Sequence, residues 1–344
     1  MKTEILDVSG LAEDAMEKIS HAASVLRRGG LVAFPTETVY GLGANALDEK
    51  AVAKVYEAKG RPSDNPMIVH ISRASDIGML TPTLSPAIVK LADNFWPGPL
   101  TIICKKREEV PSIVTGGLDT VAIRLPDSSI AIELIKLSGV PIAGPSANLS
   151  GSPSPTKAEH VIADLDGRVD VILKGPDSRI GIESTVVDMT VSPPVVLRPG
   201  VLTADILSAA IDEPVELDPA LLGRGSSDEA EDSAEIIPKS PGMKYKHYAP
   251  TAEMVVVEGQ RKRVTEEIKR LKSMNERIGR KVGVILFEEK EYVEAAHDFY
   301  ARLRELDDEK VDLILAGALS YKDGVGFAVM NRMMKSAGHN VVKV

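Results

Sequence analysis

Lys59-Gly-Arg-Pro-Ser-Asp-Asn-Pro sets two cations and an amide on a stretch that Gly60, Pro62 and Pro66 make rigid, with His70 just beyond it. Polar groups held on a fixed loop suit a polyanion such as a phosphate tail. The plainer reading is a solvated helix end, where Lys59 and Arg61 answer the helix dipole. Arg61, Asn65 and His70 together favour the polyanion. A hydroxyl-rich loop, Gly144-Pro-Ser-Ala-Asn-Leu-Ser-Gly-Ser-Pro-Ser-Pro-Thr, adds Ser146 and Asn148, which with the loop's backbone amides can wrap phosphate oxygens. Thr156 in that loop reads as a helix cap, boxed with Glu159. Arg124 lies on an apolar strand, where its guanidinium either covers a solvated face or clamps a carboxylate or phosphate in a pocket; the residues alone leave both open. Gly181-Ile-Glu-Ser-Thr-Val-Val-Asp and Leu197-Arg-Pro-Gly place a hydroxyl, Ser184, and another guanidinium, Arg198, at strand ends. Between residues 240 and 250, Ser-Pro-Gly-Met-Lys-Tyr-Lys-His-Tyr-Ala-Pro is too polar for a core and too dense in chemistry for a spacer, so it reads as a segment able to close over a neighbouring site.

Several chemistries are disfavoured. Gly41-Leu-Gly-Ala-Asn-Ala fits a relaxed dinucleotide fingerprint, but the strand before it ends earlier and Pro35 to Tyr40 intervene. A Gly-Lys-Ser/Thr phosphate loop does not occur, so ATP would have to be held another way. Neither Ser146 nor Ser184 sits in the Gly-x-Ser-x-Gly of a hydrolase elbow. The six histidines are scattered without metal-ligand spacing, which leaves magnesium to arrive bound to nucleotide phosphates. Cys104, the sole cysteine, reads as a buried, inert thiol on a strand.

These residues need a frame. At 344 residues the chain exceeds what one core usually serves, and 44% hydrophobic content is ample for two. Aromatics at 4% argue against base-stacking platforms, and a net charge of -9 argues against a general polyanion binder. Residues 13–28 and 48–59 show helical spacing that ends at glycine. Strands are expected at 31–34, 67–71, 100–105, 121–125, 140–143, 169–173, 185–188 and 195–198, giving a mixed sheet with helices packed on it. Residues 218–235 are an acidic, small-residue linker. Beyond Pro250 strands at 254–257, 282–287 and 313–316 alternate with helices at 263–275, 292–306 and 327–337, the pattern of a parallel sheet with covering helices. Gly324-Val-Gly-Phe reads as a tightly packed helix start. The expected division is 1–212, a linker and bridge at 213–250, and 251–344. A start unlike a signal peptide and the lack of a membrane-length apolar stretch predict a cytoplasmic protein.

Taken in order, Pro35-Thr-Glu-Thr-Val-Tyr-Gly-Leu, Lys59-Gly-Arg-Pro, Pro97-Gly-Pro-Leu-Thr, Val121-Ala-Ile-Arg, Pro145-Ser-Ala-Asn-Leu-Ser-Gly, Ile182-Glu-Ser-Thr-Val-Val-Asp and Leu197-Arg-Pro-Gly resemble the Sua5/YciO/YrdC family. The 240–250 bridge and the Gly324-Val-Gly-Phe-Ala-Val-Met-Asn-Arg-Met-Met-Lys ending resemble its longer Sua5 branch. The resemblance implies an α/β protein with a YrdC-like twisted mixed sheet and a smaller Rossmann-like α/β/α C-terminal domain. It implies synthesis of threonylcarbamoyl-AMP and pyrophosphate from L-threonine, bicarbonate and ATP, with magnesium on the ATP and the product passed to the machinery that modifies tRNA. By matching motif, Thr38, His70, Arg124 and Ser184 would surround threonine, Arg124 pairing its carboxylate. Lys59, Arg61, Asn65, Thr120, Ser146, Asn148, Ser154 and Arg198 would hold ATP, with Tyr245 or Tyr248 covering the nucleotide.

Two departures bear on the pocket. Gly144 stands where many relatives carry Ser or Thr, which leaves only backbone there, and Leu-Pro-Asp-Ser after Arg124 replaces a commoner ending in His. A competing reading is a double-stranded RNA or tRNA binder built on Lys54, Lys59, Arg61, Lys105, Lys106 and Arg107, against which the overall acidity counts. Another is a related carbamoyl or adenylyl transferase with a different acceptor.

Overall fold

Short apolar runs bounded by Gly, Pro and Ser form a large sheet because each can bury both faces between helices. In the computed structural model, which describes residues 2–9, 13–222, 248–288, 290–319 and 324–344, its strands are β1 (Glu4–Asp7), β2 (Val32–Phe34), β3 (Gly41–Asn45), β4 (Ile68–His70), β5 (Leu100–Lys105) and β6 (Thr120–Arg124). They continue with β7 (Ile142–Ala143), β8 (Val171–Lys174), β9 (Thr185–Asp188), β10 (Val195–Arg198) and β11 (Glu216–Leu217). The order across the sheet is β1-β8-β2-β3-β7-β4-β6-β5-β9-β10-β11, with parallel and antiparallel pairs mixed. Helices α1 (Glu13–Arg27), α2 (Glu49–Lys59), α3 (Pro86–Phe95), α4 (Ser129–Ser138), α5 (Ala158–Leu165) and α6 (Ala204–Ile211) cover it.

Local chemistry sets the helix ends. Asp48 accepts from the backbone N–H groups of Lys50 and Ala51 to start α2, and Gly60, at φ 62°, ends it. Ser128, one of the two departures noted above, caps α4 by accepting from Ala131 N and donates to Pro35 O at 3.0 Å; its neighbour Asp127 pairs with Arg179. The capping box expected at Thr156 is not formed. Helix α5 takes Lys157 as its N-cap without a side-chain bond, and Thr156 Oγ1 is buried without a hydrogen-bond partner among the described residues. Strand β3 replaces the weak dinucleotide fingerprint: its glycines sit in the sheet against Phe34, with no phosphate-binding helix opening after them. Cys104 is buried, and burial pushes its thiol up to about 12.

The second unit is β12 (Glu253–Glu258), α7 (Arg261–Arg277), β13 (Val282–Ile285), α8 (Tyr292–Asp308), β14 (Leu313–Gly317), α9 (Gly324–Ser336) and β15 (Val341–Lys343). Its sheet, ordered β13-β14-β12-β15, is parallel throughout. Alternation along β12 makes three layers: Met254 and Val256 pack against α8 and α9, Val255 and Val257 against α7. At the start of α9 a Cβ on Gly324 would lie 2.0 Å from Thr203 Cγ2, the close approach expected there. Val39 and Ile182 of the first unit belong to the same apolar cluster as Phe299, Val329 and Met330 of the second, so the two share a core. Among the described residues no helix is long and apolar enough to cross a membrane.

Candidate active site

The polar residues come from strand ends and from the loops that follow them. Thr38 lies between β2 and β3, Ser146 and Asn148 follow β7, and His70, Arg124 and Arg198 end β4, β6 and β10; because β7 runs antiparallel to β4, Gly144, just past β7, meets Ile68 at the start of β4. His70 and Arg124 stand side by side in parallel register, so both side chains project from the same face. Between these ends lies a cleft lined by Thr38, His70 and Arg124 on one flank and by Arg61, Ser146, Asn148 and Arg198 on another, with Tyr248 also on its wall.

The flank around Arg124 is buried and incompletely bonded. Arg124 is 4% exposed, and its Nη2 lies 2.7 Å from Glu37 Oε1 with the N–H not aimed at that oxygen. Its Nε donates to Gly98 O at 3.2 Å. Nη2 of Arg124, Nδ1 of His70 and both carboxylate oxygens of Glu37 have no hydrogen-bond partner among the described residues. Buried polar atoms of that sort are the groups a polar ligand satisfies. Burial, then the charge of Arg124, brings His70 down to about 3, so its ring is neutral. Thr38 is fully buried, its hydroxyl 2.9 Å from that of Thr36.

The other flank is a cationic wall. Arg61 is only half-buried and donates to the carbonyls of Asn65 and Pro66, and burial brings it down to about 10. Lys59 is not the solvated helix end of the plainer reading: it is buried, and its Nζ donates to the carbonyls of Ser146 and Asn148, pinning that loop. Burial, then Arg61, holds Lys59 well below the ordinary lysine range. Ser146 Oγ and Asn148 Oδ1 are hydrogen-bonded to each other. Arg198 donates through Nε to Ser184 O and through Nη2 to Ser184 Oγ, both at 3.0 Å, and Ser184 Oγ also meets Thr101 Oγ1 at 2.7 Å. Tyr248, at φ 63°, packs its ring on Tyr300 at 5.4 Å; its carbonyl accepts from Ser336 Oγ, while Ala249 N donates to Gly151 O. Both units therefore hold this end of the bridge.

Family models match residues 24–200, under the description "Telomere recombination" for the Sua5/YciO/YrdC group, and residues 203–338, as "Threonylcarbamoyl-AMP synthase, C-terminal domain". This chain belongs to the Sua5/YciO/YrdC family. It is 49% identical to the threonylcarbamoyl-AMP synthase of Pyrococcus abyssi, over 95% of this chain and 96% of that protein. With the synthase of Bacillus subtilis it shares 47% identity over the whole of both chains. The crystal structure of P. abyssi Sua5 complexed with L-threonine superposes with a TM-score of 0.91 at 47% identity, covering 99% of this chain and 100% of that one.

Of the residues singled out in the sequence, the cleft is lined by Thr38, Lys59, Arg61, His70, Arg124, Ser146, Asn148, Arg198 and Tyr248. Ser184 and Ser154 stand just behind it, bonded to Arg198 and to Glu183. Asn65 lies under Arg61, its Oδ1 buried without a partner among the described residues. Thr120 is not brought to the cleft: it starts β6, across from Lys105, at the end of that strand away from Arg124. Tyr245 lies outside the described residues. Of the cations named for a basic RNA face, Lys59 is buried, Lys105 pairs with Asp119, and Lys54, Lys106 and Arg107 bond backbone carbonyls. Gly144 is explained by space: a Cβ there would meet Leu42 O at 2.7 Å.

The sequence reading missed Glu37, Glu183, Tyr300 and Arg332. Glu37 and Glu183 lie inside the quoted motifs, each a carboxylate among buried neighbours, and that was their signal. Tyr300 and Arg332 join the site only through the fold.

Proposed function

We infer that this chain makes threonylcarbamoyl-AMP, joining the carbamate of L-threonine to the adenylyl group of ATP. The observation that carries the reading is one cleft holding a buried carboxylate receptor, Arg124 with His70 and Thr38, beside a cationic wall of Arg61 and Arg198. Full-length likeness to synthases and to a threonine-bound relative supports it.

In this reading Arg124 pairs the threonine carboxylate, while neutral His70 offers a hydrogen-bonding nitrogen rather than a charge that would repel the amine. Bicarbonate carboxylates that amine with loss of water. A carbamate oxygen then attacks the α-phosphorus of ATP; the new P–O bond forms as the bond to pyrophosphate breaks, and pyrophosphate carries the electron pair away. Little covalent help is required, so the rate comes from positioning and from charge stabilisation by Arg61 and Arg198. Lys59 fixes the loop that presents Ser146 and Asn148. Carbamate and mixed anhydride both hydrolyse readily, which gives Tyr248 and the bridge a purpose as a cover against water.

Magnesium would arrive bound to the nucleotide, where it would neutralise phosphate charge. Among the described residues no group of three His, Cys, Asp or Glu is arranged to hold it, and Glu37 and Glu183 pair with Arg124 and Arg332. The catalytic unit then extends through β11, which pairs with β10, a few residues past the expected boundary at 212; the linker and bridge up to 250 and the C-terminal unit 251–344 follow, with the labile product passed to tRNA-modifying enzymes. Pyrophosphate release that requires both threonine and bicarbonate, with the threonylcarbamoyl adenylate identified by mass, is the expected result. Release independent of threonine, or an adenylate lacking the carbamoyl carbon, would refute the reading.

A further inference from the structure

Arg332 is wholly buried on α9 of the second unit, yet most of its hydrogen bonds leave that unit. Its Nε donates to Glu183 Oε2 at 3.1 Å, its Nη1 to Pro199 O, and its Nη2 reaches Glu183 O at 3.5 Å. Glu183 precedes Ser184 and Pro199 follows Arg198. One guanidinium thus grips both chain segments flanking the Ser184–Arg198 hydrogen bonds on the cleft wall.

We propose that Arg332, acting with Tyr300 through Glu183, is a positioning residue by which the second unit sets Arg198 for the nucleotide phosphates. The carboxylate of Glu183 is saturated: Ser154 Oγ donates at 2.6 Å, and Tyr300 OH approaches its two oxygens at 3.1 and 3.2 Å. Its own burial would raise its pKa, but Arg332 and Arg198 outweigh that and hold it below the ordinary range, so it stays ionised. The surroundings are apolar, with Ile182, Phe299 and Val329 in the same cluster. In such a place an apolar pair of equal volume is commonly as stable as an ion pair, so stability alone does not call for one. The planar fork of arginine does something an apolar pair cannot: it engages two carbonyls and a carboxylate at once. Lysine reaches one of these partners at a time.

The inference rests on the synthase reading, and the test separates the two. Full-length Arg332→Met, Arg332→Lys and the double variant Glu183→Gln/Arg332→Met are compared with wild type for thermal midpoint, for KM of ATP and threonine in pyrophosphate release, and for calorimetric binding of a non-hydrolysable ATP analogue. Wild-type chain that releases no threonine-dependent pyrophosphate would refute the synthase reading, and analogue binding then still tests the clamp. Arg332→Met is expected to raise KM for ATP and weaken the analogue about ten- to hundredfold, while KM for threonine moves less than about twofold, since small misplacements carry losses of that size. Arg332→Lys, which keeps the charge and the fold, should fall between Met and wild type. The double variant should regain thermal stability without regaining ATP affinity. ATP affinity that returns with the thermal midpoint, threonine affinity that falls in step with ATP, or Arg332→Lys that binds ATP like wild type would each overturn the proposal.

Discussion

Arg124 meets Glu37 at 2.7 Å without aiming an N–H at it, so a donor stays usable for an incoming carboxylate. Removing the guanidinium alone strands a buried charge, which costs roughly 3–5 kcal/mol in itself. The informative variant is therefore Arg124→Ala/Glu37→Gln, which removes both charges. Threonine binding measured by calorimetry should weaken about a hundredfold or more, as for a lost charge-assisted contact, while the ATP analogue binds within a few fold of wild type. Unchanged threonine affinity would take Arg124 out of the pocket. His70 gives a prediction in pH. Its folded pKa, about 3, lies below the unfolded value near 6.5, so between these two values the unfolded chain binds the extra proton. Stability is then full above about pH 6.5 and falls on acidification with a slope of up to about 1.4 kcal/mol per pH unit. His160, brought down to about 4, adds in the same window. Urea midpoints followed from pH 7 to 4 should fall less steeply in His70→Gln than in wild type, by close to one proton; identical slopes would mean that His70 does not titrate as described.

Elements were legible where a local pattern suffices. Residues 100–105, 185–188 and 195–198 are apolar runs between breakers, and β5, β9 and β10 occupy those positions. Strand β3 was not read as one, because Gly41-Leu-Gly-Ala-Asn carries almost nothing that favours a strand; its state is imposed by pairing with β2 and β7. The site follows the same division. Motif chemistry brought Arg61, Arg124 and Arg198 forward, while Glu183 with Arg332, 149 residues apart, is a contact that no local signal contains. Close approach between units is sharp at Gly324 and again at Gly181. At φ 84°, a Cβ there would stand 2.4 Å from Ala296 O and His297 Cα. Both the backbone conformation and the contact exclude a side chain, so Gly181→Ala should lower stability by about 1–3 kcal/mol or more in denaturant titration. Moving the units apart at Gly181 also loosens the neighbouring Ile182 and Glu183, so KM for ATP should rise as stability falls. A normal KM with lowered stability would mean the interface tolerates the shift without reaching the cleft.

At the scale of the whole molecule the question is whether the second unit merely accompanies the first. Three apolar clusters lie entirely within residues 6–217, so the first unit has cores of its own and should fold when cut at residue 222. The cut nevertheless bares Val39 and Ile182, removes Arg304 from Asp164, deprives Glu183 of Tyr300 and Arg332, and takes Tyr248 off the cleft wall. Each loss falls on the interface or beside the cationic wall, and none on Arg124 or His70. The truncated chain should therefore unfold cooperatively at a lower temperature, bind a hydrophobic dye at the bared patch, and keep threonine affinity within a few fold. Its threonine-dependent pyrophosphate release should fall about tenfold or more, with KM for ATP carrying most of the change, because the groups lost position the nucleotide rather than the amino acid. A truncated chain that releases pyrophosphate at the full rate with unaltered KM for ATP would show that the first unit alone makes the site, and that the shared core serves stability only.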